Sequence, residues 1–216
     1  RSDLAKLQEV YDKLGITVGR KIRYVDLLDQ DRSTTVSRIL TLFEYARIIY
    51  RVHHSSANNL PLRAEINRKR SKGVLLDIGL LLALQGLSIA DLSQEQELFF
   101  SNQGQLAEQF IGQHLLYGQG EYTKPELHHW SREKAQSNAE VDYLIQLGQT
   151  ILPIEVKAGK TGTLKSLHLF MELKQRSLAL RFSTNTPLVE SVTSSLAESS
   201  YRYTLVTLPL YLVGQT

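Results

Sequence analysis

One segment of the chain, residues 139–157, limits the choice of folds more than any other. Apolar and polar residues alternate on both sides of Gly148, a pattern that predicts a strand, a tight turn and a second strand. Because alternate residues of a strand share a face, Glu155 and Lys157 are expected to project together. Asp142 lies on the partner strand, and we expect its carboxylate to reach the same place across the hairpin.

These side chains suit the hydrolysis of a phosphodiester, which needs a cation to offset the charge that builds on the phosphate. Mg²⁺ takes oxygen ligands at about 2.0–2.1 Å. The carboxylates of Asp142 and Glu155 offer such oxygens, and the backbone carbonyl of Val156 offers another. Lys157 is then expected to hold or activate a water molecule, or to stabilise the transition state.

A fourth candidate, Glu108, lies in a helical pattern over residues 103–116. The predicted catalytic residues are therefore Asp142, Glu155 and Lys157, and the predicted metal ligands are Glu108, Asp142 and Glu155. An ion pair between Lys157 and a carboxylate, without catalysis, is the structural alternative.

The first 73 residues have a different organisation. Helical spacing covers residues 3–14 and 34–47, with a short helical turn between them. Two apolar segments follow, residues 48–52 and 62–66, and the polar residues 53–61 between them predict a hairpin loop. Three helices followed by a hairpin is the order of a winged helix-turn-helix domain.

Charge is divided unevenly along the chain. Residues 1–74 carry 15 Lys and Arg against 8 Asp and Glu, a net charge of +7, and the remainder carries 10 against 14, a net charge of −4. A basic first part is typical of contact with a polyanion such as DNA. A solvated basic face, or a winged helix that binds protein, explains the same pattern.

If the first part binds DNA, the start of its third helix is expected to enter the major groove. Basic residues around it are expected to contact phosphates. The candidate groove contacts are Thr34, Thr35 and Arg38, and the candidate phosphate contacts are Arg20, Lys21, Arg23, Arg32, Arg63, Arg68, Lys69 and Arg70.

Composition excludes several classes of protein. The chain has no cysteine, which rules out disulfides and thiolate metal sites. No apolar segment approaches the roughly 20 residues of a membrane helix, so we expect a cytoplasmic protein without a membrane partner. The chain begins at Arg1 rather than at Met, and we interpret it as a piece of a longer protein. Beyond residue 74, strands alternate with helices, one of them predicted over residues 165–174, which indicates an α/β domain with a mixed sheet.

Six short motifs run along the chain: GRKIRY at 19–24, STTV at 33–36, FEYARII at 43–49, LDIGLL at 76–81, and AEVD at 139–142 with IEVK at 154–157. Taken together, these motifs resemble the C-terminal region of prokaryotic AAA-type ATPases, where a domain of unknown function follows the ATPase module. The similarity spans nearly the whole chain, and the last pair of motifs is the most specific.

The resemblance implies a winged helix-turn-helix domain over residues 1–73 and a PD-(D/E)XK, restriction endonuclease-like domain over residues 74–216. By motif match, Asp142, Glu155 and Lys157 take the nuclease positions, and Glu108 takes the position of the preceding helix acid. It further implies Mg²⁺ as cofactor, ATP bound only by an upstream module, and DNA and that module as partners. The implied function is a Mg²⁺-dependent DNA-cleaving or DNA-binding module. The alternative is a catalytically inactive DNA- or protein-binding regulatory module.

Overall fold

A computed structural model describes residues 3–29, 32–88, 90, 96–119, 125–134, 137–159, 163–194 and 200–215. The α-helices are α1 Asp3–Asp12, α2 Tyr24–Leu27, α3 Ser33–Tyr45, α4 Ile78–Leu84, α5 Gln96–Tyr117 and α6 Lys165–Lys174. Short 3-10 helices lie at Leu14–Thr17, Leu62–Glu65 and Leu210–Gln215. The strands are β1 Ile49–Ser55, β2 Ile66–Leu75, β3 His128–Lys134, β4 Ser137–Leu147, β5 Thr150–Val156, β6 Leu178–Ser183, β7 Leu188–Ser194 and β8 Tyr201–Pro209.

The strands form one mixed sheet of eight, in the order β2-β1-β3-β4-β5-β6-β8-β7. The pairs β1/β3, β5/β6 and β6/β8 are parallel, whereas β3/β4, β4/β5 and β7/β8 are antiparallel. Parallel neighbours need a crossover, and α6 provides it between β5 and β6. The predicted α/β class with a mixed sheet is confirmed.

The chain divides into two compact units, and each is built from two separate stretches. The first unit contains residues 1–52 and 70–113, and the second contains residues 53–69 and 114–216. Residue 73, where the sequence suggested that one domain ends, lies inside β2. The division at residues 73 and 74 stays a prediction.

In the first unit, the apolar sides of α1 and α3 meet in a buried core. Helix α3 presents Val36, Leu40 and Phe43 at the three- and four-residue spacing that one helix face requires. Leu75 and Leu81, from the second chain stretch of this unit, belong to the same core. Helix α4 begins where the Asp77 side chain accepts a hydrogen bond of 2.7 Å from the Leu80 amide.

In the second unit, α6 covers one face of the sheet. Its residues Leu167, Phe170 and Met171 are fully buried and share a cluster with residues of β3, β4 and β8. The rings of Trp130 and Phe170 meet edge to face, with centroids 5.3 Å apart. The predicted helix over residues 165–174 is confirmed, because this apolar spacing agrees with its packing.

Two local predictions are wrong. The polar loop expected from residue 53 starts later, because β1 continues to Ser55, and the return strand expected at residues 62–66 instead begins at Ile66. The pairing of β1 with β3 explains the first error, since His53 and His54 pair with His128 and His129 in parallel register. A strand formed with partners so distant in sequence leaves no local signal.

Phe170→Ala is expected to lower the free energy of unfolding by about 3–5 kcal/mol, because it removes a buried aromatic ring and leaves a cavity. Urea unfolding followed by circular dichroism measures the loss. Leu173→Ala is the matched control, since Leu173 lies on the same helix but is 45% exposed. Equal losses in the two variants would contradict the proposed packing.

Candidate functional site

The candidate site is built on the hairpin of β4 and β5. The paired residues run from Tyr143 opposite Ile154 to Leu147 opposite Thr150. Gly148 closes the turn with φ of +59°, a conformation that glycine adopts without steric cost. The predicted strand, turn and strand are therefore confirmed.

Strand β4 contains one extra residue beside β3. His128 and Trp130, two residues apart on β3, pair with Leu144 and Val141, which are three apart on β4. The extra residue is a β-bulge at Asp142 and its neighbour, and bulges commonly redirect a side chain.

The side chain of Asp142 takes part in the hydrogen bonding of the sheet. Asp142 Oδ2 accepts a hydrogen bond of 2.8 Å from the Val156 amide, just beyond the last backbone pair of β4 and β5. This bond fixes one carboxylate oxygen at the end of β5.

Glu155 and Lys157 lie together at that end of β5. Lys157 Nζ is 2.6 Å from Glu155 Oε1; the Glu155 side chain is 5% exposed and that of Lys157 is 30% exposed. A carboxylate so deeply buried needs a charged partner, and the lysine two residues later supplies it. The ion pair predicted as the structural alternative is therefore present, and the lysine side chain also remains partly exposed.

A second cation, Arg181, lies on the next strand, and sequence reasoning missed it. Arg181 is the direct neighbour of Glu155 in the parallel register of β5 and β6. Its Nε donates to Thr207 Oγ1 at 3.1 Å, and its Nη2 lies 3.9 Å from Glu190 Oε1. The sequence did contain one signal for this residue, because Arg181 is the only charged residue in the apolar strand LALRFS.

Glu108 belongs to the first unit, where it has an ionic partner of its own. Its Oε2 accepts a hydrogen bond of 3.0 Å from Lys72 Nζ, and the Lys72 side chain is only 1% exposed. Gly19, with φ of +68°, lies close enough that an added Cβ would be 3.4 Å from the Glu108 carboxylate. Neutralising a buried lysine is thus one role of Glu108, and its role as a metal ligand stays a prediction.

Asp142 and Glu155 offer carboxylate oxygens from adjacent strands, a donor type that fits Mg²⁺. Within the described part of the chain, no three His, Cys, Asp or Glu side chains gather as a ready metal-binding group. An ion at this place would depend on the two carboxylates, backbone carbonyl oxygen and water, which is how proteins commonly hold Mg²⁺.

The predicted groove contacts lie at the start of α3. Thr34 and Arg38 are exposed and Thr35 is half-buried, but Arg38 Nη2 already lies 3.6 Å from Asp3 Oδ2. A shallow, mostly apolar groove runs between α1 and α3, lined by Leu4, Leu7, Thr35, Arg38, Ile39 and Leu42 among others.

The predicted phosphate contacts do not share one element. Carboxylates lie near some of them: Asp26 is 3.8 Å from Arg23, and Glu126 is 3.1 Å from Arg63. Among these predicted phosphate contacts, Arg70 is half-buried. The others are exposed: Arg20, Lys21, Arg23, Arg32, Arg63, Arg68 and Lys69. The basic run at residues 68–70, a predicted phosphate contact, lies within β2.

A second polar cluster lies between α6 and the sheet. Tyr203 Oη and His168 Nδ1 are 2.9 Å apart, and Glu172 accepts a hydrogen bond from the Ser194 hydroxyl. Burial, with further contributions from the carboxylates of Glu190 and Glu155, raises the pKa of Tyr203 to about 12. Burial lowers the pKa of His168, which the Glu172 carboxylate opposes.

These features define an α/β protein with a mixed sheet and a hairpin carrying two carboxylates and a lysine. A family model described as a domain of unknown function, DUF4143, matches residues 103–210, which is half of the 216-residue chain. The chain belongs to the DUF4143 family. A second domain of unknown function, DUF8612, matches residues 1–91.

No curated protein and no solved structure matches the chain. The expected membership of a domain of unknown function is confirmed, whereas the link to AAA-type ATPases stays a prediction. Among the helices that the structure describes, none is long and apolar enough to cross a membrane.

Glu108→Ala is expected to lower the free energy of unfolding by up to about 3 kcal/mol, because it removes the counter-charge of the buried Lys72. The double variant Lys72→Met/Glu108→Leu should recover most of that loss, since it removes both charges. Thermal and urea unfolding measure both effects. If Glu108→Ala is as stable as the parent protein, the ion pair contributes little to the free energy of unfolding.

His168 is expected to make stability depend on pH. Because its pKa is lowered in the folded protein, the unfolded chain binds the proton more readily. The contribution of His168 to the free energy of unfolding is therefore complete above the ordinary pKa of 6.5 and is lost as pH falls below it. His168→Gln removes the titrating ring, so its unfolding free energy should fall less than the parent's between pH 7.5 and 5. Identical pH profiles would contradict this assignment.

Proposed function

We propose that this chain is a Mg²⁺-dependent DNA-processing module of the PD-(D/E)XK nuclease type. The observation that carries the proposal is the Lys157–Glu155 pair at 2.6 Å, on the strand whose end is bonded to the Asp142 carboxylate. Packing alone does not require two carboxylates and a lysine at one strand end, whereas phosphodiester hydrolysis uses all three.

Each of the three side chains has a distinct role in this mechanism. Asp142 and Glu155, with the Val156 carbonyl, would hold the metal, and the Val156 amide keeps Asp142 in place. When bound, Mg²⁺ supplies positive charge against the phosphate. Lys157, partly exposed beside Glu155, holds the attacking water by a hydrogen bond and stabilises charge on the phosphate oxygens.

The proposal also covers the rest of the chain. The first residues would form a winged helix-turn-helix domain, a proposal supported by the order α1, α2, α3, β1, β2. We place the chain at the C-terminal end of a cytoplasmic AAA-type ATPase, in which ATP is bound by the upstream module. That placement rests on the sequence resemblance alone.

A specific observation favours a second candidate function, an inactive module that holds a protein partner. The groove between α1 and α3 is mostly apolar, and Arg38, a predicted DNA contact, is paired with Asp3. Apolar grooves between helices are common docking places for an amphipathic helix. In this alternative, the ion pair of Glu155 and Lys157 serves stability only.

Cleavage of labelled single- and double-stranded DNA in Mg²⁺ or Mn²⁺ tests the proposal. Glu155→Gln and Lys157→Met should each lower the cleavage rate by about 100-fold or more, because each removes a group that acts on the reacting phosphate. Lys165→Met is the matched control, since Lys165 is an exposed lysine at the start of α6. Circular dichroism verifies that each variant is folded.

The outcomes separate the candidates. Metal-dependent cleavage that both site variants abolish supports the nuclease. Salt-sensitive DNA binding without cleavage indicates an inactive DNA-holding module. If the parent protein neither cleaves nor binds DNA, the nuclease proposal is overturned and the protein-binding alternative is favoured.

A further inference from the structure

Arg181 is an unusual residue in its strand. It lies on β6 between the buried residues Leu180 and Phe182, and its side chain is 17% exposed. Placing a guanidinium there costs free energy unless it is hydrogen bonded and paired. The apolar pattern of the strand does not itself require a charged residue at this position.

The contacts of Arg181 orient it without using most of its donors. Nε donates to Thr207 Oγ1 at 3.1 Å, and Thr207 is fully buried and is its register neighbour on β8. Glu190 Oε1 lies 3.9 Å from Nη2, beyond hydrogen-bond distance. Within the described residues, the two terminal nitrogens of Arg181 make no hydrogen bond.

Arg181 also lies beside the proposed catalytic residues. It is the parallel register partner of Glu155, and neighbouring strands are about 4.8 Å apart. Arg181 and Glu155 both act electrostatically on the buried Tyr203 hydroxyl, in opposite directions, so the two charges share one environment. Lys157 thus pairs with the Glu155 carboxylate, and Arg181 is the register neighbour of Glu155 on the next strand.

We infer that Arg181 binds a backbone phosphate of the nucleic acid next to the bond that Lys157 and the two carboxylates act on. This inference rests on the proposed function and adds a specific substrate contact to it. A guanidinium presents a planar pair of donors that matches two phosphate oxygens, and Thr207 holds this fork in place. Arg181 binds and orients the substrate, while proton transfer belongs to other groups.

A purely structural role makes different predictions. If Arg181 only ties β6 to β7 through Glu190, its replacement lowers stability and leaves DNA binding unchanged. The two roles are therefore separated by measuring affinity together with unfolding, rather than by activity alone.

The test measures the affinity of a labelled DNA duplex by fluorescence anisotropy, without divalent cation, over a range of KCl concentrations. Arg181→Gln should weaken binding by about 10-fold and reduce the slope of log affinity against log salt by roughly one. Arg181→Lys, which keeps the charge but lacks the fork, should retain the salt slope and lose part of the affinity. Arg202→Gln is the matched control, because Arg202 is exposed on β8.

Cleavage assays of the same variants add a second readout, in which Arg181→Gln raises KM more than it lowers kcat. If the parent binds DNA and Arg181→Gln binds with the same affinity and salt slope, the inference fails and the proposed function stands. If the parent neither binds nor cleaves DNA, both are overturned. Arg181→Lys keeps the test valid if the glutamine variant does not fold.

Discussion

The backbone ladder between β4 and β5 is the constraint on which the second unit depends. Strand β5 pairs antiparallel with β4 and parallel with β6, and its residues from Ile151 to Val156 are all buried. A charged side chain on such a buried strand needs an ionic or hydrogen-bond partner close by. The partner of Glu155 is Lys157. On the neighbouring strand β4, Asp142 accepts a hydrogen bond from the Val156 amide.

This arrangement gives each polar group a structural use, to which the proposed function adds a chemical one. One oxygen of Asp142 replaces a backbone acceptor where the ladder ends, so the bulge of β4 and the position of the carboxylate depend on each other. Lys157 neutralises Glu155 while remaining partly exposed. The proposed function would use these fixed groups, because a reacting phosphate has to be held in one position.

The sequence predicted the hairpin, helix α6 and the mixed sheet, because in these elements the residue pattern and the tertiary packing agree. It did not predict β7, whose exposed Leu188 and Val189 give no clear pattern for an edge strand. It also missed the ion pair of Lys72 with Glu108, because the two residues are distant in sequence and meet only in the folded unit. Asp142, Glu155 and Lys157 were found because their spacing along two adjacent strands is local.

The division of each unit into two chain stretches has a consequence for synthesis. The first unit needs residues 70–113 as well as residues 1–52, and Gln109 of α5 bonds both the amide and the carbonyl of Leu75. A nascent chain that ends before α5 therefore lacks the Gln109 side chain that hydrogen bonds to Leu75 at the end of β2. Helices α1 and α3 must wait until the residues up to 113 have left the ribosome, with apolar residues such as Leu75 and Leu81 exposed until then.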